Sequence, residues 1–296
     1  MAGPDRSWHG PAIGGIVTVM YIALNPTLTA GGKLGWPEFA RLAARTGYGG
    51  ADVIGSAQSD GAEATIALLK ELKLKPAVTG FPVEFRKDED TFKSGLAQLD
   101  DAARFAAAIG CPRMQTYILS SSDTPKAELR ALLKKRFQAC AEVLARHRVR
   151  LALEFLGPLH IRKARPYEFI YRMDEMVEFA RECGANVGVL LDSWHWYHAG
   201  GKIADILAAG TQGIVTVQVS DSSAQPPEQI RDNERLMPGE GVIDLVGFFQ
   251  ALKKMGYADN ISPEVFGRGL KFMPPEEGAR LGLESTHAVM KKAGVA

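Results

Sequence analysis

Short runs of β-branched and other apolar residues alternate along the chain with longer segments of helical period, and this alternation constrains the fold more than any other feature. Consecutive parallel strands cannot be joined by tight turns, so each needs a crossover of a dozen or more residues, which a helix supplies. Strand patterns fall at 16–24, 51–54, 74–79, 114–119, 149–155, 187–192, 214–219 and 261–266. Helical patterns fall at 37–45, 62–72, 89–109, 125–147, 166–183, 245–255 and 275–292. Pro37 stands at a favourable first-turn position, and the glycines at 47, 49 and 50 stop the helix it opens.

Eight strands with helices between them, and no Ser/Pro/Gly-rich linker dividing them, predict a single α/β domain, a (β/α)8 TIM barrel over 13–296. Residues 1–12 are expected to be a disordered lead. A doubly wound sheet is the structural alternative, but the first strand is not followed by G-x-G-x-x-G and no G-x-x-x-x-G-K-[ST] occurs. The composition, 46% hydrophobic and 23% charged, is that of a globular chain rather than a disordered or collagen-like one. Lys plus Arg is 35 and Asp plus Glu 34, so the net charge of +1 provides no general attraction to nucleic acid or an anionic membrane. The apolar run at 16–24 ends at Pro26, at less than half a membrane span, and lacks the basic start and cleavage site of a signal peptide. Cys111, Cys140 and Cys183 form neither a disulfide framework nor a CxxC motif, which fits a reducing cytoplasm.

Polar residues interrupt four of the later strands. Glu154 lies within Leu-Ala-Leu-Glu-Phe, Asp192 closes Val-Leu-Leu-Asp, Gln218 sits inside Val-Thr-Val-Gln-Val, and Glu264 follows Ile-Ser-Pro. Their separations of 38, 26 and 46 residues each leave room for one helix and its loops. In a barrel the C-terminal ends of successive strands ring one mouth, so the four groups would converge there. Taken singly, each also fits a loop cap or a partner for an arginine; four in consecutive units favour a shared site. Three carboxylates packed together must protonate or find a cation. A divalent metal, rather than lysine or arginine, is expected to neutralise them. An all-oxygen donor set of three carboxylates and an amide suits Mn²⁺ or Mg²⁺ more than zinc, with Co²⁺ and Zn²⁺ as further options.

His195, three residues beyond Asp192, is placed just above the mouth, either contacting a substrate hydroxyl or stacked at the surface on Trp194 or Trp196. Arg235, in a Gly/Pro-rich loop after the seventh strand, could bring a forked donor to the same mouth. Trp36, Phe81, Trp194 and Trp196 are candidates for substrate walls or for simple packing. Substrate recognition is expected in the loops at 80–90, 119–125 and 222–237.

At these residues the sequence resembles the sugar phosphate isomerase/epimerase superfamily of xylose isomerase-like TIM barrels, which includes inosose dehydratases, hydroxypyruvate isomerases and ketose 3-epimerases. The resemblance covers about 20–292 and is carried by Gly47-Tyr-Gly-Gly-Ala-Asp-Val, Leu153-Glu154, Leu191-Asp-Ser-Trp-His195, Val217-Gln-Val-Ser-Asp221, Pro238-Gly-Glu-Gly-Val-Ile-Asp244 and Ser262-Pro-Glu264-Val. It implies a metal held by Glu154, Asp192, Gln218 and Glu264, with Glu154 and Glu264 moving the proton and His195 and Arg235 holding substrate oxygens. Most epimerases carry His where this chain has Gln218; some 3-dehydroshikimate dehydratases of the superfamily carry Gln.

The implied chemistry is proton abstraction next to a carbonyl, giving a metal-stabilised enediolate. Return of the proton isomerises or epimerises a small sugar, keto-sugar or polyol derivative, whereas departure of a β-oxygen makes the enzyme a carbon–oxygen lyase. Apurinic endonucleases of the superfamily use a cluster of three zinc ions with many histidines, whereas of the six here only His195 matches a ligand position of that family, and the neutral charge lacks a DNA footprint. A non-catalytic sugar-binding barrel is the remaining reading. The expected partner is an unphosphorylated, carbohydrate-like small molecule, with no nucleic acid and no membrane, and the barrel fits a homo-oligomer.

Overall fold

The computed structural model describes residues 19–296, so the expected lead at 1–12 and the start of the first strand pattern lie outside the described residues. Eight parallel strands close into a barrel in chain order: β1 (Tyr21–Leu24), β2 (Gly50–Val53), β3 (Lys75–Gly80), β4 (Arg113–Ile118), β5 (Arg150–Phe155), β6 (Val187–Asp192), β7 (Ile214–Val219) and β8 (Asn260–Pro263). Closure is made by β1 against β8, with Tyr21 opposite Asn260 and Ile22 opposite Ile261. The crossover helices are α1 (Trp36–Thr46), α2 (Ala62–Leu72), α3 (Glu89–Ala108), α4 (Lys126–Arg146), α5 (Met173–Cys183), α6 (Ile203–Gly213), α7 (Leu245–Met255) and α8 (Pro275–Lys292). Among the described residues no helix is long and apolar enough to cross a membrane.

Three differences from the sequence reading have physical causes. The helix expected over 166–183 begins only at Met173, because Tyr167–Glu168 pair antiparallel with Ser121–Ser122. Phe169, whose N–H donates to the Ser120 carbonyl at 2.7 Å, is buried and holds this segment extended, as suits a run rich in aromatic residues. Helix α6 was not legible because Gly210, at φ 63°, breaks its path and only one charged residue, Asp205, marks its polar side. The short helix Ser193–His198, where no helix was expected, follows β6 directly because Asp192 caps its start.

The core between sheet and helices is continuous, while Ala152, Leu190 and Val215 form a small apolar cluster of their own. Glu154 and Asp192 lie two residues beyond Ala152 and Leu190, and period-two alternation puts each pair on one face of its strand. Polar side chains occupy neighbouring interior positions: Asn260 donates to Thr216 Oγ1 at 2.7 Å, and Asp52 accepts from Asn25 and Ser262, each at 2.9 Å. At the opposite end Arg113 donates to the carbonyl of Ala77 at 2.6 Å and pairs with Asp259.

Asp52 makes stability depend on pH. Burial pushes its carboxyl up to about 8, against the pull of its Ser262 and Asn25 donors, with the Glu264 charge adding to the rise. An unfolded aspartate titrates near about 4, so between about 4 and 8 the folded chain holds a proton that the unfolded chain has released. Stability from this group is therefore lost as pH rises through that window. Asp52→Asn is expected to flatten the decline, making the variant gain on the wild type between pH 5 and pH 8 in urea midpoint. Parallel midpoint curves for the two proteins would exclude this assignment.

Candidate active site

Each residue of the mouth is delivered by a strand end. Glu154 is the penultimate residue of β5, Asp192 ends β6, and Gln218 is opposite Asp192 on β7. Glu264 lies one residue beyond β8, yet its N–H still donates to the Val219 carbonyl at 3.0 Å, so it remains in register. Asp192 caps the helix Ser193–His198, accepting from the N–H of Trp194 at 2.7 Å and of His195 at 3.3 Å through Oδ1. This cap turns the chain sharply and buries His195 beside the strand end, rather than leaving it at the surface.

Arg235 enters the centre of this group. Its Nη1 donates to Asp192 Oδ2 at 2.7 Å and Glu264 Oε2 at 3.2 Å, and its Nε and Nη2 donate to Asp232 Oδ1 at 3.1 and 2.8 Å. Nη2 also lies 3.1 Å from His195 Nε2. The guanidinium is buried against the rings of Trp194 and Phe266, at 4.9 and 4.8 Å from their centroids. Arg235 thus gives Asp192 and Glu264 a cationic partner where the sequence reading expected only a metal. The reason is reach: the loop bearing Arg235 folds back over the mouth, where Asp221 on the strand side pairs with Leu236 through both backbone bonds at 2.9 Å. The Asp221 carboxylate also accepts from the N–H groups of Gly239, Gly241 and Ile243 at 2.9–3.0 Å, closing the loop.

The charges explain the titration of the group. Burial, then the Glu264 and Asp192 charges, push Glu154 well above the usual carboxylate range. Burial also pushes Glu264 up to about 7, with Arg235 opposing and Asp192 adding to the rise. Burial and the Arg235 charge hold His195 well below its ordinary value and hence neutral. Burial works against the charge on Arg235, but Asp192, Glu264 and Asp232 outweigh it and keep the guanidinium protonated.

Donor atoms of Glu154, Asp192 and His195 lie within 4.8 Å of one another. His195 Nε2 is 3.5 Å from Glu154 Oε1. Gln218 Nε2 donates to Glu264 Oε1 at 3.0 Å, which leaves Gln218 Oε1 buried with no partner, as is Glu154 Oε1, among the described residues. Two unpartnered buried oxygens among carboxylates are the chemistry of a cation site.

Glu154, His195, Asp232, Arg235 and Glu264 border a cavity of about 590 Å³ that is also lined by Gln115, Phe81, Tyr117, Leu156 and Phe266. Of the candidate walls only Phe81 faces it. Trp36, Trp194 and Trp196 are buried, Trp194 against Arg235 and Trp196 against Phe248. The loops at 80–90 and 222–237 contribute, whereas 119–125 borders a separate hollow with Phe85, Leu129 and Arg165. Gln115 and Asp232 were missed. Asp232 gave no periodic signal in its loop, but Gln115, a polar residue inside a strand, carried the same mark as Gln218.

Residues 31–290 match a family model described as xylose isomerase-like TIM barrel. An inosose isomerase of Bacillus velezensis is 26% identical over 229 residues, 74% of this chain and 77% of that protein. A xylose isomerase domain protein from Alicyclobacillus acidocaldarius superposes with a TM-score of 0.86 at 29% identity, covering 93% of this chain and 100% of that one. The IolI protein, solved with a bound zinc atom, has the same fold, with a TM-score of 0.80 at 20% identity over 93% and 99% of the two chains.

Close packing behind His195 is expected to be sensitive to a single methyl. A Cβ on Gly157, just past β5, would stand 2.1 Å from the His195 carbonyl oxygen and 2.7 Å from the Ala199 nitrogen. Both are backbone atoms, so Gly157→Ala is expected to destabilise the protein by about 1–3 kcal/mol, as overpacking does, read from its urea midpoint. A wild-type midpoint would mean that this backbone contact is loose.

Proposed function

Because this chain belongs to the xylose isomerase-like TIM barrel family, we propose that it is a divalent-metal-dependent isomerase or epimerase of a small sugar, keto-sugar or polyol derivative. The observation that carries the reading is the meeting of Glu154, Asp192, Gln218 and Glu264 at one mouth, with unpartnered oxygens on Glu154 and Gln218 beside a cavity of substrate size. The inosose isomerase relative and the zinc in IolI support it from outside the chain.

Glu154, Asp192, Gln218 and Glu264 are the residues that would hold the ion, since the set is oxygen-rich and hard. Bound there, a divalent ion supplies electrophilic help to the substrate carbonyl and offsets charge that develops on oxygen. The chain's own residues do the remaining work. Glu154 and Glu264 are carboxyls lifted towards neutrality or above, the condition for accepting a proton from carbon and returning it. His195, neutral and anchored to Arg235, can hold a substrate oxygen through its unpartnered Nδ1. Arg235 fixes Asp192 and Glu264 in one geometry. Phe81, Tyr117 and Phe266 limit water at the reacting carbon. If proton return is faster than loss of a neighbouring oxygen, the product is an isomer; otherwise it is a dehydrated ketone.

Two measurements test the reading. With an inosose as probe, Glu154→Gln and Glu264→Gln are each expected to slow exchange of the substrate C–H with deuterated water by about 10²–10⁴-fold, the usual worth of a positioned acid or base. Wild-type exchange in both variants would overturn it. Treatment with EDTA is expected to lower the Tm, and Mn²⁺ at about 100 times its Kd should restore about 2.7 kcal/mol. A Tm indifferent to both additions would argue for a metal-free binding barrel.

A further inference from the structure

We propose that the hollow bordered by the 119–125 loop is a subsite for a hydroxyaryl group carried by the substrate, so that the chain takes an aryl-bearing sugar or polyol rather than a bare one. The inference rests on the isomerase reading only for placing the substrate's polar ring in the mouth. The hollow has a volume of about 330 Å³, inside the ~300–1,000 Å³ range of small-molecule sites. Phe85, Ile118, Leu129 and Leu133 give it apolar walls, while Ser122, Asp123, Thr124 and Arg165 bring polar atoms to the same space. Phe85, Ile118 and Leu133 are buried, whereas Asp123 and Arg165 are exposed and pair with each other, so the apolar part lies inward and the polar part outward. An apolar body with a polar end is the character of a phenolic ring. A polyol alone offers those walls no apolar surface to bury.

Both sides of the hollow are held by devices that barrel closure does not need. The buried side chain of Arg136, on α4, donates to the carbonyls of Phe85 and Lys87 at 2.8 and 2.7 Å and pins the loop after β3. On the other side Ser121–Ser122 pair with Tyr167–Glu168 in a sheet separate from the barrel ring, and Ser121 Oγ donates to the Ile161 carbonyl at 2.7 Å. Their common effect is a preformed cavity, which binds a ligand without a further cost in ordering. The hollow adjoins the mouth across one pair of side chains. Tyr117 lines the mouth cavity, and the guanidinium of Arg86, which lines the hollow, lies 4.4 Å from its ring centroid and donates to its carbonyl at 2.6 Å. Ile118 and Leu119, next along the chain, already border the hollow. A ligand that crosses the Tyr117–Arg86 pair passes from one cavity into the other, so a substituent on a ring held in the mouth is carried towards the apolar walls.

Calorimetry on the Mn²⁺-loaded protein tests this with arbutin, which is a hydroxyphenyl glucoside, and with methyl β-D-glucoside. Arbutin is expected to bind at least about tenfold more tightly, the equivalent of burying part of one ring in a cavity next to the sugar. Thr124→Phe, which fills the hollow, and Leu129→Asn, which makes its wall polar, should each remove that gain, and a cooperative urea transition reports that the variants fold. No binding of arbutin, equal affinities for the two glucosides, or a gain that survives either substitution overturns the proposal. The two readings fail separately. If Glu154→Gln and Glu264→Gln retain wild-type deuterium exchange while the arbutin gain persists, the hollow stands as a binding subsite without the isomerase. If exchange falls as expected and the gain is absent, the hollow alone is struck.

Discussion

Negative charge concentrated at the barrel mouth is the constraint to which the surrounding structure responds. Asp192 is fully buried and Glu154 and Glu264 nearly so, a grouping that folding tolerates only if protons or cations accompany it. Arg235 meets part of that need, and much of the local architecture exists to deliver it. The rings of Trp194 and Phe266 lie against its guanidinium, Asp232 accepts from its Nε and Nη2, and Asp221 gathers the backbone of the loop that follows it. Glu154 answers the same pressure differently: burial and the neighbouring Glu264 and Asp192 charges push its carboxyl well above the usual carboxylate range. An arginine and a raised carboxyl are two physical solutions to one electrostatic problem, and this mouth combines them.

The ease with which parts of this arrangement could be read from sequence follows from how strongly burial filters residue type. A carboxylate or amide within an apolar strand is conspicuous, so Glu154, Asp192, Gln218 and Glu264 could be found by their exceptions to a pattern. Asp52 and Gln115 break the pattern in the same way, but β2 is only four residues long and β4 mixes polar with apolar residues, which gave them a weaker background. Asp232 lies in a loop, where polarity is ordinary and only three-dimensional reach distinguishes a partner of Arg235 from a solvated acid. Helices with charged outer faces, such as α2 and α8, were bounded to the residue, while α6, nearly devoid of charge and broken at Gly210, was not. Which cation a carboxylate meets is a matter of side-chain placement, and periodicity carries no information about it.

Gln218 shows how one amide can serve two demands. Its nitrogen donates to Glu264, orienting that carboxylate, while its oxygen remains available to a cation. An imidazole at this position could satisfy both only through its two ring nitrogens, at a different angle and with its own titration. The amide keeps the same charge at every pH, so titration in this part of the mouth falls to Glu154 and Glu264.

Closure of the barrel by β1 and β8 also bears on how the site comes into being. Tyr21 pairs with Asn260, and the hydroxyl of Tyr48 donates to the carbonyl of Ala279 at 2.7 Å across 231 residues of sequence. Contacts of such separation are entropically slow to form and come late on a folding pathway. Glu264 lies just beyond the strand that completes the ring, so a nascent chain emerging from the ribosome can assemble much of the scaffold but none of the finished mouth. The cluster of like charges is thereby postponed until the barrel that restrains it is nearly whole.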